Sequence, residues 1–116
     1  MKQTELVFVY GTLRAGESNH GLLESSEYLG SCQTASQFAL FDLGPYPAVI
    51  RGTKAIVGEV YCVDIPTMKN LDRLEEYPKL YDRIKTQTPF GSAWIYLYQG
   101  STELHSVIES NDWKNR

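Results

Sequence analysis

Residues 6–16, LVFVYGTLRAG, run five apolar or aromatic residues straight into Tyr10-Gly11-Thr12-Leu13 and then break into polar loop. An uninterrupted apolar run of this length, closed by a glycine-containing turn, reads as a buried strand. Its abrupt end leaves successive backbone N–H groups in need of acceptors, because unpaired buried amides cost free energy. A plain exit from the sheet is one solution. The other is a concave run of amides that receives an anion, with Gly11 permitting the turn and the close approach of a ligand.

Outward from that strand, the chain shows no repeat, linker or low-complexity segment, so residues 1–116 read as one domain. Gln37 to Phe41 is strand-like, Gly44-Pro45-Tyr46-Pro47 punctuates it, and Ala48-Val49-Ile50 resumes it. Ala55 to Val63 forms another strand, and Tyr81 to Thr88 with Ala93 to Tyr98 flank Pro89-Phe90-Gly91-Ser92 as a hairpin. One strong helix is predicted from about Pro66 to Glu76, with Asp64 near its cap, Pro66 in its first turn and Pro78 as its stop. A weaker helical stretch follows Asn19. Many short strands with one or two helices, and no regular strand–helix alternation, imply an α+β fold: a small, largely antiparallel or mixed sheet curled into a barrel.

Composition narrows the function. A chain of 116 residues, 42% of them hydrophobic, has the means to bury a core without staples. The net charge of -3, with Lys and Arg scattered, offers nothing to a phosphate backbone or an acidic membrane, so nucleic acid and membrane partners are not expected. The longest apolar run falls far short of the roughly 20 residues of a membrane span, and MKQTE is too polar for a signal peptide. Cys32 and Cys62 form no CxxC motif and read as reduced, buried thiols, which sets the cytoplasm as the expected compartment.

The predicted helix carries the chemistry. Stepping about 100° per residue from Met68, Ile65, Leu71 and Leu74 fall on the core side. Glu75 lands about 20° from Met68 and Asp72 about 40° away on the other side, whereas Glu76 lies at the edge, roughly 110° from the stripe's centre. Two carboxylates therefore sit within an apolar stripe, where an ionised carboxylate costs several kcal/mol unless it is paired or neutralised. Asp72 reads as a structural partner for Arg83, Arg51 or backbone N–H groups. Glu75, in the last turn before a proline-punctuated loop, reads as opening onto a cavity, where desolvation raises its pKa toward neutrality and suits it to general acid–base work. Glu59 in the strand GEVYCVD is its competitor, facing either a polar cavity or solvent.

The combination Val9-Tyr10-Gly11-Thr12-Leu13-Arg14, Gly58-Glu59-Val60-Tyr61, Leu71-Asp72-Arg73-Leu74-Glu75 and Tyr77-Pro78-Lys79-Leu80-Tyr81-Asp82-Arg83 resembles the gamma-glutamylcyclotransferase-like family, from Phe8 to about Trp113. Within it the chain is most similar to the small bacterial members and the gamma-glutamylamine cyclotransferase branch. The resemblance implies release of 5-oxoproline from a gamma-glutamyl amide, the substrate's own α-amino group attacking its γ-carbonyl. It implies that the glutamate of the LDxxE motif, here Glu75, moves the protons. The amides of Tyr10, Gly11, Thr12 and Leu13 then receive the substrate's α-carboxylate, and Tyr98 comes near the pocket. The implied partner is a small molecule bearing a gamma-glutamyl group, and oligomeric state stays open.

Other candidates point elsewhere. His20 and His105 lack metal-ligand spacing, and Gly11 to Gly16 lacks the phosphate-loop pattern, so no metal or cofactor is expected. Tyr10 either lines the pocket or caps the core, Tyr81 and Arg83 either line it or pair on their strand, and Arg14 reads as a surface charge. Asn111-Asp112-Trp113 is expected to tuck the C-terminus against the sheet. A binding module with the same pocket but no turnover is the second functional reading, and an interaction domain with a vestigial pocket the third.

Overall fold

The N-terminal apolar run becomes strand β1 (Thr4–Val9) at the centre of a five-stranded sheet, in a computed structural model that describes residues 3–116. The sheet also contains β2 (Glu27–Gln33), β5 (Val57–Asp64), β6 (Tyr81–Thr88) and β7 (Gly91–Tyr98), in the order β2-β5-β1-β7-β6. A second sheet of three strands, in the order β4-β3-β8, holds β3 (Phe38–Asp42), β4 (Pro47–Arg51) and β8 (Ser106–Val107). β1 runs antiparallel to β5, from Thr4 opposite Asp64 to Val9 opposite Glu59, and parallel to β7 at Val7 and Trp94. The expected hairpin is present, with Tyr81 opposite Tyr98 and Thr88 opposite Gly91.

From Leu6 to Val9, β1 is continuously apolar because both faces of the large sheet are covered there. Phe8 points into one core with Val60 and Ile95 from its own sheet and Phe38, Leu40 and Val49 from the small sheet. Val7 and Val9 point into the other, with Tyr61, Val63, Met68, Leu71, Tyr81 and Tyr96, beneath α1 (Ile65–Leu74) and a 3-10 turn at His20–Leu23. A strand buried on both sides has no polar face to alternate with. The same double burial corrects the expected barrel. The mixed, largely antiparallel sheet is there, but it does not curl closed, since its two apolar faces are satisfied by a second sheet on one side and a helix on the other.

The helix starts where its cap residues direct. Asp64 is extended (φ -82°, ψ 172°), its side chain accepts from the Thr67 N–H at 2.9 Å, and Pro66 occupies the first turn. It ends at Leu74, two residues sooner than expected, with Glu75 as the C-cap and Glu76 in the left-handed region at φ 52°. Met68 and Leu71 are buried as the stripe requires, whereas Leu74 is 37% exposed because the helix ends beneath it. The segment after Asn19 forms only the one 3-10 turn. Cys32 and Cys62 are free and half-buried rather than fully buried. Trp113 does anchor the C-terminus, 2% exposed in the core between the sheets. Among the described residues no helix is long and apolar enough to cross a membrane.

Candidate functional site

A cavity of about 200 Å3 opens where β1 ends, between the Tyr10–Leu13 loop and the end of α1. Its wall includes Tyr10, Gly11, Thr12 and Leu13 on one side and Leu74, Glu75 and Glu76 on the other, with Tyr46, Pro47, Leu80, Tyr81 and Tyr96 closing it. Each contributor is brought there by the packing just described. Tyr10 continues β1, Tyr81 opens β6, Tyr96 lies on the α1-covered face of β7, and the helix terminus drops Glu75 between them.

The loop is built so that its carbonyls are occupied and its amides are not. The Gly11 carbonyl accepts from the Arg14 N–H at 3.0 Å, and the Thr12 carbonyl from the Asn19 N–H at 2.8 Å. The Leu13 carbonyl accepts from the His20 ring at 2.9 Å. The Asn19 side chain donates to the Thr12 hydroxyl at 3.0 Å. Among the described residues, the N–H groups of Gly11, Thr12 and Leu13 donate to no backbone carbonyl. Three consecutive free amides at the rim of a cavity form the kind of concavity that attracts an anion. Gly11 is required here by packing rather than by a special φ: a Cβ on it would lie 2.3 Å from Cγ of Pro47.

Facing these amides, the Glu75 carboxylate has no hydrogen-bond or ion-pair partner among the described residues. Burial, with nothing to offset it, pushes its pKa up to about 7. Its charge in turn raises the pKa of the Tyr10, Tyr81 and Tyr96 hydroxyls, each already raised chiefly by burial. At neutral pH the carboxyl is thus divided between a proton donor and a proton acceptor, the condition general acid–base chemistry favours. Among the described residues no basic side chain lines the cavity.

Glu59 has a different environment. It is 4% exposed, and its carboxylate takes the Arg14 Nε at 2.9 Å, the Ala15 N–H at 2.9 Å and the Tyr61 hydroxyl at 2.9 Å. Desolvation acts against its charge, but these hydrogen bonds and the guanidinium outweigh it and hold the pKa below the ordinary carboxylate value. Arg14 is therefore no surface charge: it is 7% exposed and also reaches Asp112 at 2.7 Å. The triad braces the far side of the loop. Asp72 behaves as the wheel suggested, pairing with Arg83 at 3.1 Å, and in addition it accepts from the Tyr96 hydroxyl at 2.8 Å. Arg83 does not line the cavity; it lies between the rings of Tyr77 and Trp94, 4.6 and 4.2 Å from their centroids.

Of the tyrosines picked out in the sequence, Tyr10 and Tyr81 line the cavity and Tyr98 does not. Tyr98 packs behind Tyr81, their ring centroids 5.4 Å apart. Its neighbour on the same strand face, Tyr96, lines the cavity instead. Glu76, assigned to the helix edge, reaches the cavity because the chain turns left-handed immediately after the helix. Asn19, Tyr46 and Pro47 also escaped the sequence reading. Only the GPYP punctuation and the Asn at a helix start hinted at them. Among the described residues no group of His, Cys, Asp and Glu side chains is arranged to hold a metal ion.

Comparison with known proteins follows the same outline. A relative from Vibrio cholerae serotype O1, provisionally named a gamma-glutamylcyclotransferase, is 53% identical over 111 residues and covers 96% of both chains. The gamma-glutamylcyclotransferase family protein YtfP of Escherichia coli K12 is 38% identical over 95% of this chain and 96% of its own. An uncharacterised protein of Pyrococcus horikoshii, known from its crystal structure, superposes with a TM-score of 0.85 at 26% identity, covering 95% of this chain and 90% of its own. The family model described as gamma-glutamyl cyclotransferase, AIG2-like, matches residues 7–115, and the chain belongs to that family.

Proposed function

We propose that this protein is a cofactor-independent gamma-glutamyl cyclotransferase that acts on gamma-glutamylamines and releases 5-oxoproline and a free amine. The observation that carries the reading is Glu75, a desolvated carboxyl with no protein partner, set in one small cavity opposite the free amides of Gly11 to Leu13. In this reading the amides take the substrate's α-carboxylate and leave the glutamyl chain folded back toward the cavity floor. Glu75, ionised in about half the molecules near pH 7, removes a proton from the α-ammonium. The freed nitrogen attacks the γ-carbonyl carbon and forms the ring C–N bond. Glu75 then gives its proton to the departing nitrogen as the original amide C–N bond breaks, and the second proton that the ring nitrogen must shed passes by the same carboxylate to the amine, which leaves as an ammonium, so the carboxylate is regenerated and no water is consumed. Holding nitrogen and carbonyl together is the larger part of the task, because intramolecular reactions gain most from positioning. The apolar walls of Tyr46, Leu74 and Leu80 suit an amine half without a carboxylate, and no cavity side chain is basic enough to pair with one.

The test is release of 5-oxoproline by the purified protein from a panel of gamma-glutamyl-ε-lysine, simple gamma-glutamylamines and gamma-glutamyl dipeptides, with no metal added. At least one gamma-glutamylamine should be cyclised. Binding of several panel members without cyclisation of any would replace the enzyme by a binding module.

A further inference from the structure

Three tyrosines meet at the cavity, and each has its hydroxyl proton committed away from it. Tyr10 donates to the carbonyl of Tyr96 at 2.8 Å and Tyr81 to the carbonyl of Pro47 at 2.8 Å. Tyr96 donates to Oδ1 of Asp72, also at 2.8 Å. The carbonyls carry no proton and Asp72 is paired with Arg83, so the direction of each bond is fixed by chemistry. A phenol that has given its one proton has only lone pairs left to offer. The side chains around Glu75 are consequently rich in acceptors: three tyrosine oxygens and the carboxylates of Glu75 and Glu76, with no side-chain cation among the described walls.

Two of the three acceptors are backbone carbonyls, which no side-chain substitution changes. The third is Asp72, held in turn by Arg83, which is clamped between Tyr77 and Trp94. We infer that Asp72 is a positioning residue that fixes the Tyr96 hydroxyl as an acceptor, completing a ring of tyrosine oxygens that receives the substrate's α-ammonium beside Glu75. The ammonium assignment rests on the gamma-glutamyl reading above. An ammonium has three N–H donors and no lone pair, so it can satisfy several of these oxygens at once, whereas a hydroxyl has one proton to give and brings lone pairs of its own. The arrangement also explains why Glu75 lacks a partner. The hydroxyl protons of Tyr10, Tyr81 and Tyr96 are engaged elsewhere, so none of these three solvates its charge.

Asp72→Ala, compared with Tyr96→Phe and with the two combined, separates this role from a merely structural one. Asp72 Oδ1 is the oxygen that takes both the Tyr96 hydroxyl and the Arg83 Nε, so its removal leaves the Tyr96 hydroxyl without an acceptor and free to turn its proton into the cavity, where it can donate to Glu75. The titratable groups that share the cavity with Glu75 are Tyr10 just beyond β1, Tyr81 from β6 and Tyr96 from β7, on each of which its charge acts, with Glu76 and Tyr46. Of these, Tyr96 alone changes its hydrogen-bond direction. The apparent pKa of Glu75, followed by carbon NMR of the labelled carboxyl in the ligand-free protein, should fall by about one unit in Asp72→Ala and by clearly less when Tyr96→Phe is combined with it, because a hydrogen bond to the charged form favours it, whereas loss of the Asp72 charge acts equally in both. In Tyr96→Phe it should not fall, since that variant loses an acceptor and gains no donor. For any gamma-glutamyl compound that is cyclised, both single variants should raise KM by about tenfold, the amount expected for one hydrogen bond to a charged group. A Glu75 pKa that falls equally in Asp72→Ala and in the combined variant, or a Tyr96→Phe enzyme with wild-type KM, overturns the inference. If Asp72→Ala does not fold, Tyr96→Phe decides it alone. If no gamma-glutamyl compound is cyclised, the function reading falls, while the NMR titration still judges the tyrosine arrangement.

Discussion

Glu75→Gln should make the protein more stable, and by an amount that depends on pH. The wild-type carboxyl titrates at about 7 in the folded chain against an ordinary value of 4.5, a rise of about 2.5 units caused by burial. At about 1.36 kcal/mol per unit, the folded state loses on the order of 3 kcal/mol between the two protonation limits. The sign follows from proton binding. A raised folded pKa means that the native state holds the proton more tightly than the unfolded chain. Wild-type stability is therefore greatest below about pH 4.5 and declines as pH rises to and through 7. Gln has nearly the same shape and no charge to desolvate, so its stability does not fall in that window. Urea denaturation of both proteins from about pH 4 to about pH 9 should show curves that meet at the acid end and separate to about 3 kcal/mol above about pH 8, with the variant the more stable. For a chain of this length that separation corresponds to roughly 10 °C in Tm. All other titrating groups are shared and cancel in the difference. A pH-independent difference, or a wild type that gains on the variant as pH rises, would show that the carboxylate is solvated or paired, and the argument for a poised acid–base group would collapse.

Further expectations follow from neighbouring contacts. Gly11→Ala places a Cβ against the Pro47 ring, where the ideal separation is only 2.3 Å, so the loop or β4 must move. A loss of about 1–3 kcal/mol, read by urea denaturation, is expected from such overpacking. A change below about 0.5 kcal/mol would mean that the two segments are not held together. Arg14→Met strips the guanidinium from buried Glu59 and should cost about 3–5 kcal/mol at neutral pH. Glu59's folded pKa is depressed, so its stabilising contribution exists above the ordinary carboxylate pKa and is lost as pH falls through the folded value. The penalty in Arg14→Met should accordingly shrink in acid, where a protonated Glu59 needs no cation, and a penalty constant from about pH 3 to about pH 7 would contradict the pairing. For any substrate that is cyclised, kcat/KM should decline on the acid side with an apparent pKa near 7, tracking Glu75 in the free protein.

What the sequence revealed, and what it hid, has a common physical cause. Glu75 stood out because a charged residue on a helix stripe conflicts with its apolar neighbours, and the 3.6-residue period makes such a conflict countable. The YGTL turn stood out for a similar reason, as an apolar run stopped by a glycine. Tyr96 could not be separated from Tyr98 in this way, since every position of β7 from Ala93 to Leu97 is wholly or largely buried and the two tyrosines share a face. Which of them meets the cavity depends on where β6 and the helix end stop. Arg14 was misplaced for want of long-range information: its partners lie 45 and 98 residues away. Burial on both faces of β1, β5 and β7 also reads equally well as a closed barrel or as a sheet covered by two layers. Only the placement of β3, β4 and β8 in a separate sheet distinguishes them. Glu76 was hidden by the helix wheel itself, which holds only while the helix continues.

In the proposed reaction Glu75 is the group that moves the proton. The most direct measurement compares 5-oxoproline release by wild type and Glu75→Gln at saturating concentration of a gamma-glutamylamine that the wild type cyclises, alongside the dissociation constant of that compound for each protein. Turnover should fall by roughly 100-fold or more in Glu75→Gln while binding is largely retained, because the amide fills the same space and cannot carry the proton. A Glu75→Gln protein that cyclises the compound at the wild-type rate would contradict the mechanism.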